Sequence, residues 1–391
     1  MKTELKENGG IPAHILWTLA IVAGISVANL YYNQPLLNLM RDDLDTTDFR
    51  ANLIAMVTQG GYALGLLFIV PLGDLFHRKK IILLNFAVLV AALCAMAAAR
   101  DIYTVWGASL LTGICSVVPQ IFVPIASQYS RPEHKGRNVG LVISGLLTGI
   151  LASRVVSGWV GDVLGWREMY VIAAVGMCLC ALVVLKVLPD IPPTFKGQYR
   201  TLMGSLFLLV RDHPALRVYS VRAGLAFGSF LALWSCLAFK MEGAPFHADS
   251  DVVGALGLCG IAGALTASFV GKHVKRVGIR NFNYIGCALI LSAWASLYFG
   301  GSSYAGIIAG VLLIDIGMQC IQLSNQTSIF ELCPSASNRV NTIFMTTYFI
   351  GGSLGTFLAG SFWHVGGWAG VAAVGATLTL CSLSLTLFTR K

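Results

Sequence analysis

Charge is what this sequence has least of. Only 12% of its 391 residues are charged and 56% are hydrophobic, where soluble domains carry roughly a quarter charged residues. That scarcity excludes a water-soluble globule of this length, which could not cover its surface, and makes lipid the outer solvent. Metal-ligand spacing is missing as well. Nine of the ten cysteines fall inside apolar runs, Cys333 lies near a helix end, and none is spaced with histidines as a metal site requires. They read as small packing residues. Paired carboxylates and nucleophile–base arrangements are also absent, which argues against an enzyme. So is any Gly-x-x-x-x-Gly-Lys-Ser/Thr segment, which excludes nucleotide hydrolysis through a P-loop. The surplus of 27 Lys and Arg over 18 Asp and Glu sits between apolar spans rather than on one face. It therefore points to membrane topology and not to nucleic acid.

What the chain does have is long apolar runs. A bilayer core needs about 20 residues of helix, and on that ruler spans fall at 15–39, 51–72, 80–99, 102–127, 138–161 and 167–188. A second set falls at 217–239, 251–270, 281–299, 303–327, 340–362 and 367–388. None shows the dyad alternation of a barrel strand, so the expected fold is all-α, with twelve transmembrane helices. The first run is too long for a signal-peptide core and reads as an uncleaved first helix. Placing both termini in the cytoplasm puts twenty of the Lys and Arg on that side and five on the other. Arg154 and Arg222 remain inside spans. The positive-inside bias thus predicts a bacterial inner-membrane, multi-pass protein with cytoplasmic termini.

The longest polar stretch lies between the sixth and seventh spans. It contains Pro192, Pro193, Lys196 and Gly197, then a short apolar piece from Leu202 to Val210. It reads as a cytoplasmic linker with one surface helix. The expected division is an N-terminal six-helix bundle at 1–188, a linker at 189–216 and a C-terminal six-helix bundle at 217–391. The bundles are related by an internal repeat. A shift of 202 residues aligns Gln120 with Gln322, Pro132 with Pro334, Arg137 with Arg339, Gly149 with Gly351 and Gly158 with Gly360. It also aligns Gly165–Trp166 with Gly367–Trp368. Parallel six-helix halves are a transporter architecture, with the substrate site at the midplane between them.

The segment after the second span reads Val70-Pro71-Leu72-Gly73-Asp74-Leu75-Phe76-His77-Arg78-Lys79-Lys80. It resembles the major facilitator superfamily signature Gly-x-Leu-Ala-Asp-Arg-x-Gly-Arg-Arg/Lys-Lys. Asp74, Arg78, Lys79 and Lys80 match, while Val70 and His77 replace the family glycines and Leu75 an arginine. A degraded second copy keeps Gly271, Gly278 and Arg280, with Lys275 at the aspartate position. The resemblance implies that Asp74, Arg78 and Lys79 form a conformational latch between the halves in the outward-facing state. The plain alternative is a basic turn that sets topology. In the fifth span, Gly145 and Gly149 match the antiporter motif Gly-x-x-x-Gly-Pro-x-x-Gly-Gly, but Ile150, Ser153 and Arg154 depart from it. The first span from Ala28 to Leu37, together with Ser324-Asn325-Gln326-Thr327, is similar to a largely uncharacterised bacterial branch of efflux permeases. That label names no substrate.

Ionisable groups deep in a bilayer cost about 2.5–3.5 kcal/mol each on insertion scales, so they default to functional hypotheses. Asp315 stands near the middle of the tenth span and Arg154 somewhat outward of the middle of the fifth. Given the family's helix arrangement, the two could pair across the halves. The bland alternative is a static buried pair, or two groups bonded separately to backbone. Asn29, Tyr32, Gln34, Gln59, Gln120, Gln319, Gln322 and Asn325 are candidates for a polar substrate cavity, although interhelical bonding would explain any one of them. Trp234, Tyr348 and Phe349 are candidate aromatic walls, and Arg222 reads as a snorkelling residue.

Two functional readings follow. One is a proton-coupled exporter of small drug-like or sugar-like solutes by antiport, with Asp315 exchanging the proton and Arg154 acting on it. The other is an importer or uniporter in which Arg154 binds a small organic anion. Neither calls for a bound cofactor, a metal or a nucleic-acid partner. A proton gradient, a lipid bilayer and a small-molecule substrate suffice, and a monomer is expected.

Overall fold

The computed structural model describes residues 5–193, 197–332 and 336–388. Lys196 of the linker, Cys333 and Pro334 lie outside the described residues. Every described element is helical. The membrane-crossing helices are α1 (Ala13–Asp43), α2 (Asp48–Leu75), α3 (Arg78–Ala98), α4 (Ile102–Tyr129), α5 (Pro132–Val163) and α6 (Trp166–Val187). They are followed by α7 (Pro214–Glu242), α8 (Ser250–Gly271), α9 (Ile279–Phe299) and α10 (Tyr304–Leu332). The final stretch, Ser337–Phe388, runs as one helix except at Gly367, whose φ of 54° breaks it into α11 before and α12 after. That residue is the counterpart of Gly165, which opens α6 with a φ of 113°. Both halves thus turn between their last two helices at a glycine in the left-handed region, where any side chain would be strained. A linker helix, Tyr199–Asp212, joins the halves and buries Leu202 and Leu206.

Three of the helices are interrupted near their middles, and α2 breaks near its end between Phe68 and Leu72. α1 breaks between Ala28 and Asn33, where the Pro35 ring would clash with the Tyr31 carbonyl four residues back. α4 breaks between Cys115 and Pro119, again at a proline that opens the next helical segment. α8 passes through a 3₁₀ turn at Gly257–Cys259 before continuing from Gly260. Broken helices at mid-membrane expose backbone to a cavity, and transporters build their sites around such breaks.

The halves close on each other through the sequence repeat. Within the first half, Gly149 lies against Gly24; within the second, Gly351 lies against Gly224. In each pair a Cβ would stand 2.2 Å from the opposing backbone oxygen. Between the halves, Gly158 of α5 abuts Gly254 of α8, while Gly360 of α11 abuts Asn52 of α2. Gly158 and Gly360 are 202 residues apart, as are Asn52 and Gly254. One register therefore generates both inter-half seams.

Candidate functional site

At the centre, helices from both halves enclose a cavity of about 130 Å³. Arg154 of α5 and Asp315 of α10 both line it, and they are 2% and 7% exposed. Arg154 Nε donates to Gln34 Oε1 at 2.8 Å, and its guanidinium stacks 4.0 Å over the ring of Trp234 and 5.1 Å from that of Tyr31. Its Nη2 makes no hydrogen bond to protein, and neither does Asp315 Oδ2. The two side chains do not form an ion pair among the described residues; both line the same cavity, and each keeps a buried polar atom that no protein group satisfies. α8 explains how they fit. A Cβ on Gly257 would stand 3.2 Å from Arg154 Cδ, and one on Gly260 would stand 3.7 Å from Asp315 Oδ1. Glycine lets α8 run this close to Arg154, and Gly263, whose Cβ would stand 3.3 Å from Asp315 Cβ, brings the same helix against the aspartate.

Of the eight polar residues expected in the cavity, Gln120, Gln319 and Gln322 line it. Gln120 and Gln322, equivalent in the repeat, each bond a tyrosine, with opposite direction. Gln120 Nε2 donates to Tyr62 Oη at 3.3 Å, and Tyr348 Oη donates to Gln322 Oε1 at 3.0 Å. The other five are buried off the cavity. Asn29 donates to the carbonyls of Ile25 and Ser26 in its own helix. Gln34 is the hydrogen-bond partner of Arg154. Asn325 bonds Asn283 at 2.8 Å and accepts from Arg222, which is buried rather than snorkelling. Tyr32 and Gln59 are buried in helix contacts. Tyr348 and Phe349 form part of the wall, whereas Trp234 stands behind Arg154. Tyr31, Tyr62, Phe227 and Phe230 complete an aromatic lining that the polar residues alone did not announce. Phe227 stacks on Tyr348 with centroids 3.9 Å apart, and Tyr62 meets Phe349 across the halves at 4.3 Å.

The two faces of the protein differ. On the face away from the termini, the halves are tied together. Arg41 of α1 bonds Glu242 of α7 at 2.7 Å and Asp48 at 2.9 Å, and Trp363 of α11 donates to Asp48. Asn38 and Asn52 donate to the carbonyls of Ala238 and Ser235. On the face bearing the termini, a cavity of about 600 Å³ opens between α4, α5, α10 and α11, and Gln120 borders both it and the central cavity. The signature residues lie beside this opening. Arg78 is buried, donating to the Gly73 carbonyl and Gln128, with Asp74 at 3.4 Å. Lys79 donates to the carbonyls of Leu185 and Leu188 at the end of α6. Asp74 and Arg78 share a small cavity of about 50 Å³ with Asn338 and Arg339 at the start of α11.

Two six-helix halves related by a repeat, closing on a central cavity that holds two opposite charges and is tied shut on one face, fit a membrane transporter. The chain belongs to the Major Facilitator Superfamily, whose family model matches residues 19–356. It is 36% identical to the uncharacterized transporter YgaY of Escherichia coli O157:H7, over 97% of this chain and 96% of that one. It is 33% identical to the probable transporter SCO4007 of Streptomyces coelicolor, over 95% and 87%. A more distant relative, 21% identical over 82% and 81%, is the probable sugar efflux transporter of Helicobacter pylori. Among solved structures, the nucleoside transporter NupG superimposes with a TM-score of 0.77 at 14% identity, covering 96% of this chain and all of that one. That likeness shows the fold. The chain is accordingly a transporter and not an enzyme.

Proposed function

We propose that this protein is a proton-coupled exporter of small organic solutes, working by alternating access in a bacterial inner membrane with its termini in the cytoplasm. The observation that carries the reading is the pair of buried, unsatisfied charges, Arg154 and Asp315, facing one cavity from opposite halves. A carboxylate that is not neutralised by its arginine can exchange a proton with whichever side the cavity faces. Coupling then requires that its exposure change with the conformational cycle. On this reading, with the termini cytoplasmic, the conformation is the inward-open member of that cycle, and Arg41, Asp48 and Glu242 close its outer side. Asp74 and Arg78, which face the start of α11, would latch the cytoplasmic side when the outer side opens. The sugar-efflux name of one distant relative supports the outward direction. The importer reading keeps one observation in its favour: Arg154 lines the cavity with a guanidinium nitrogen, Nη2, that no protein group satisfies.

Flux in proteoliposomes, with substrates found by thermal-stability screening, tests the proposal. Asp315→Asn should abolish accumulation driven by a pH gradient while leaving exchange at equal pH. Arg154→Ala, on the exporter reading, should retain transport with a displaced pH profile; on the importer reading it should abolish binding at every pH. Should Asp315→Asn still concentrate substrate against a gradient, the proton role is lost.

A further inference from the structure

We infer that the central cavity is built for a small zwitterion carrying an aromatic or bulky apolar side chain, its carboxylate on Arg154 and its ammonium on Asp315. The inference rests on the cavity being the transport site and adds the substrate class.

The argument begins with charge balance. A buried charge left without a partner is strongly destabilising, and here two of opposite sign each have a polar atom unmatched by protein. No ion pair joins them among the described residues, yet both line one cavity. α8 packs against each, with Gly257 on the Arg154 stem and Gly263 on the Asp315 Cβ. Both are therefore within reach of one small molecule in that cavity. An anion alone would satisfy Arg154 and leave Asp315 facing a second negative charge; a cation alone would do the reverse. A zwitterion satisfies both and brings no net charge into the membrane.

Size and lining set the remainder. The cavity of about 130 Å³ is comparable to the engineered apolar cavity of about 150 Å³ that takes up benzene. It therefore suits one ring-sized group in this conformation. Phe227, Tyr348, Phe349 and Tyr62 supply stacked and tilted faces for it. A polyol is a poorer match. Two of the three lining glutamines already spend a group on Tyr62 and Tyr348, and the remaining wall is mostly aromatic and aliphatic.

Binding to the purified full-length protein in detergent tests this without any gradient, so its outcome is separate from whether the protein couples to protons. Four probes suffice: L-phenylalanine, 3-phenylpropionate lacking the amine, phenethylamine lacking the carboxylate, and L-alanine lacking the ring. L-phenylalanine should bind at least about tenfold more tightly than each of the other three. Asp315→Asn should erase the preference over phenylpropionate, and Arg154→Gln should erase the preference over phenethylamine. The assignment is overturned if phenylpropionate or phenethylamine binds the wild type as well as L-phenylalanine does. It is equally overturned if none of the four binds protein that still unfolds cooperatively.

Discussion

Arg154 shows how a cation is kept in a low-dielectric site without a counter-ion in contact. Its guanidinium lies on the face of Trp234 from the opposite half, with Gln34 holding the edge. A desolvated cation–π contact is worth about 2 kcal/mol. A double-mutant cycle of Trp234→Leu with Arg154→Met, read from unfolding of the detergent-solubilised protein, should therefore give a coupling of about 1–2 kcal/mol. Additive effects would mean that the ring merely packs nearby. The same residues mark what was legible at this scale. Arg154 and Asp315 are legible in the sequence from the cost of burying charge, a rule that needs no knowledge of neighbours. Asn29, Gln59 and Asn325 obey the same rule of polar burial, yet they sit off the cavity. Asn29 and Asn325 find partners inside helix contacts, Gln59 is buried with its amide unmatched by protein, and span depth alone does not say which way any of them points. Tyr31 and Phe227 are not legible as cavity lining, because an aromatic residue in an apolar run looks the same whether it faces lipid, core or cavity.

Helices were legible as elements because a bilayer demands unbroken runs, and the expected spans match the observed helices closely. Their interruptions were less so. Pro35 and Pro119 explain the breaks in α1 and α4 after the fact, whereas Pro124 lies within α4 without ending it; the outcome depends on what else can satisfy the freed carbonyl. Glycine spacing carried further, since the repeat at 202 residues reappears as two equivalent seams. It makes a direct prediction about helix packing. Gly149→Leu would drive its side chain into the backbone of Gly24, 2.2 Å from the Cβ position, whereas Gly176 on α6 has no atom within 4 Å of its Cβ position. Gly149→Leu should lower stability by at least about 1–3 kcal/mol and reduce folded yield, with Gly176→Leu near neutral. Equal effects from the two would show that the α1–α5 approach is not the constraint it looks.

On the proposed alternating-access cycle the whole molecule is a two-state device, and the ties on the face away from the termini would set its resting bias. Arg41 bridges Glu242 of the other half and Asp48 of its own, with Trp363 on the same aspartate. Glu242→Gln removes one charge from this cluster and weakens the closed face without opening a cavity. A loss of about 1.4 kcal/mol would change the ratio of the two states tenfold. Ala238, fully buried where α7 meets Asn38 of α1, is a suitable reporter. In a background depleted of native cysteines, Ala238→Cys should react about tenfold faster with an impermeant maleimide when Glu242→Gln is present. Adding Asp74→Asn, which weakens the proposed latch on the opposite face, should reverse that gain. Two exposed positions calibrate sidedness in intact cells: a cysteine at Asp45 should label from outside, and one at Gln198, at the start of the linker helix, should not. Labelling of Ala238→Cys that ignores Glu242→Gln would mean that the outer cluster is a surface ornament. Labelling at Gln198 but not Asp45 would turn the molecule over, placing the open cavity outside and recasting the structure as the outward-open state.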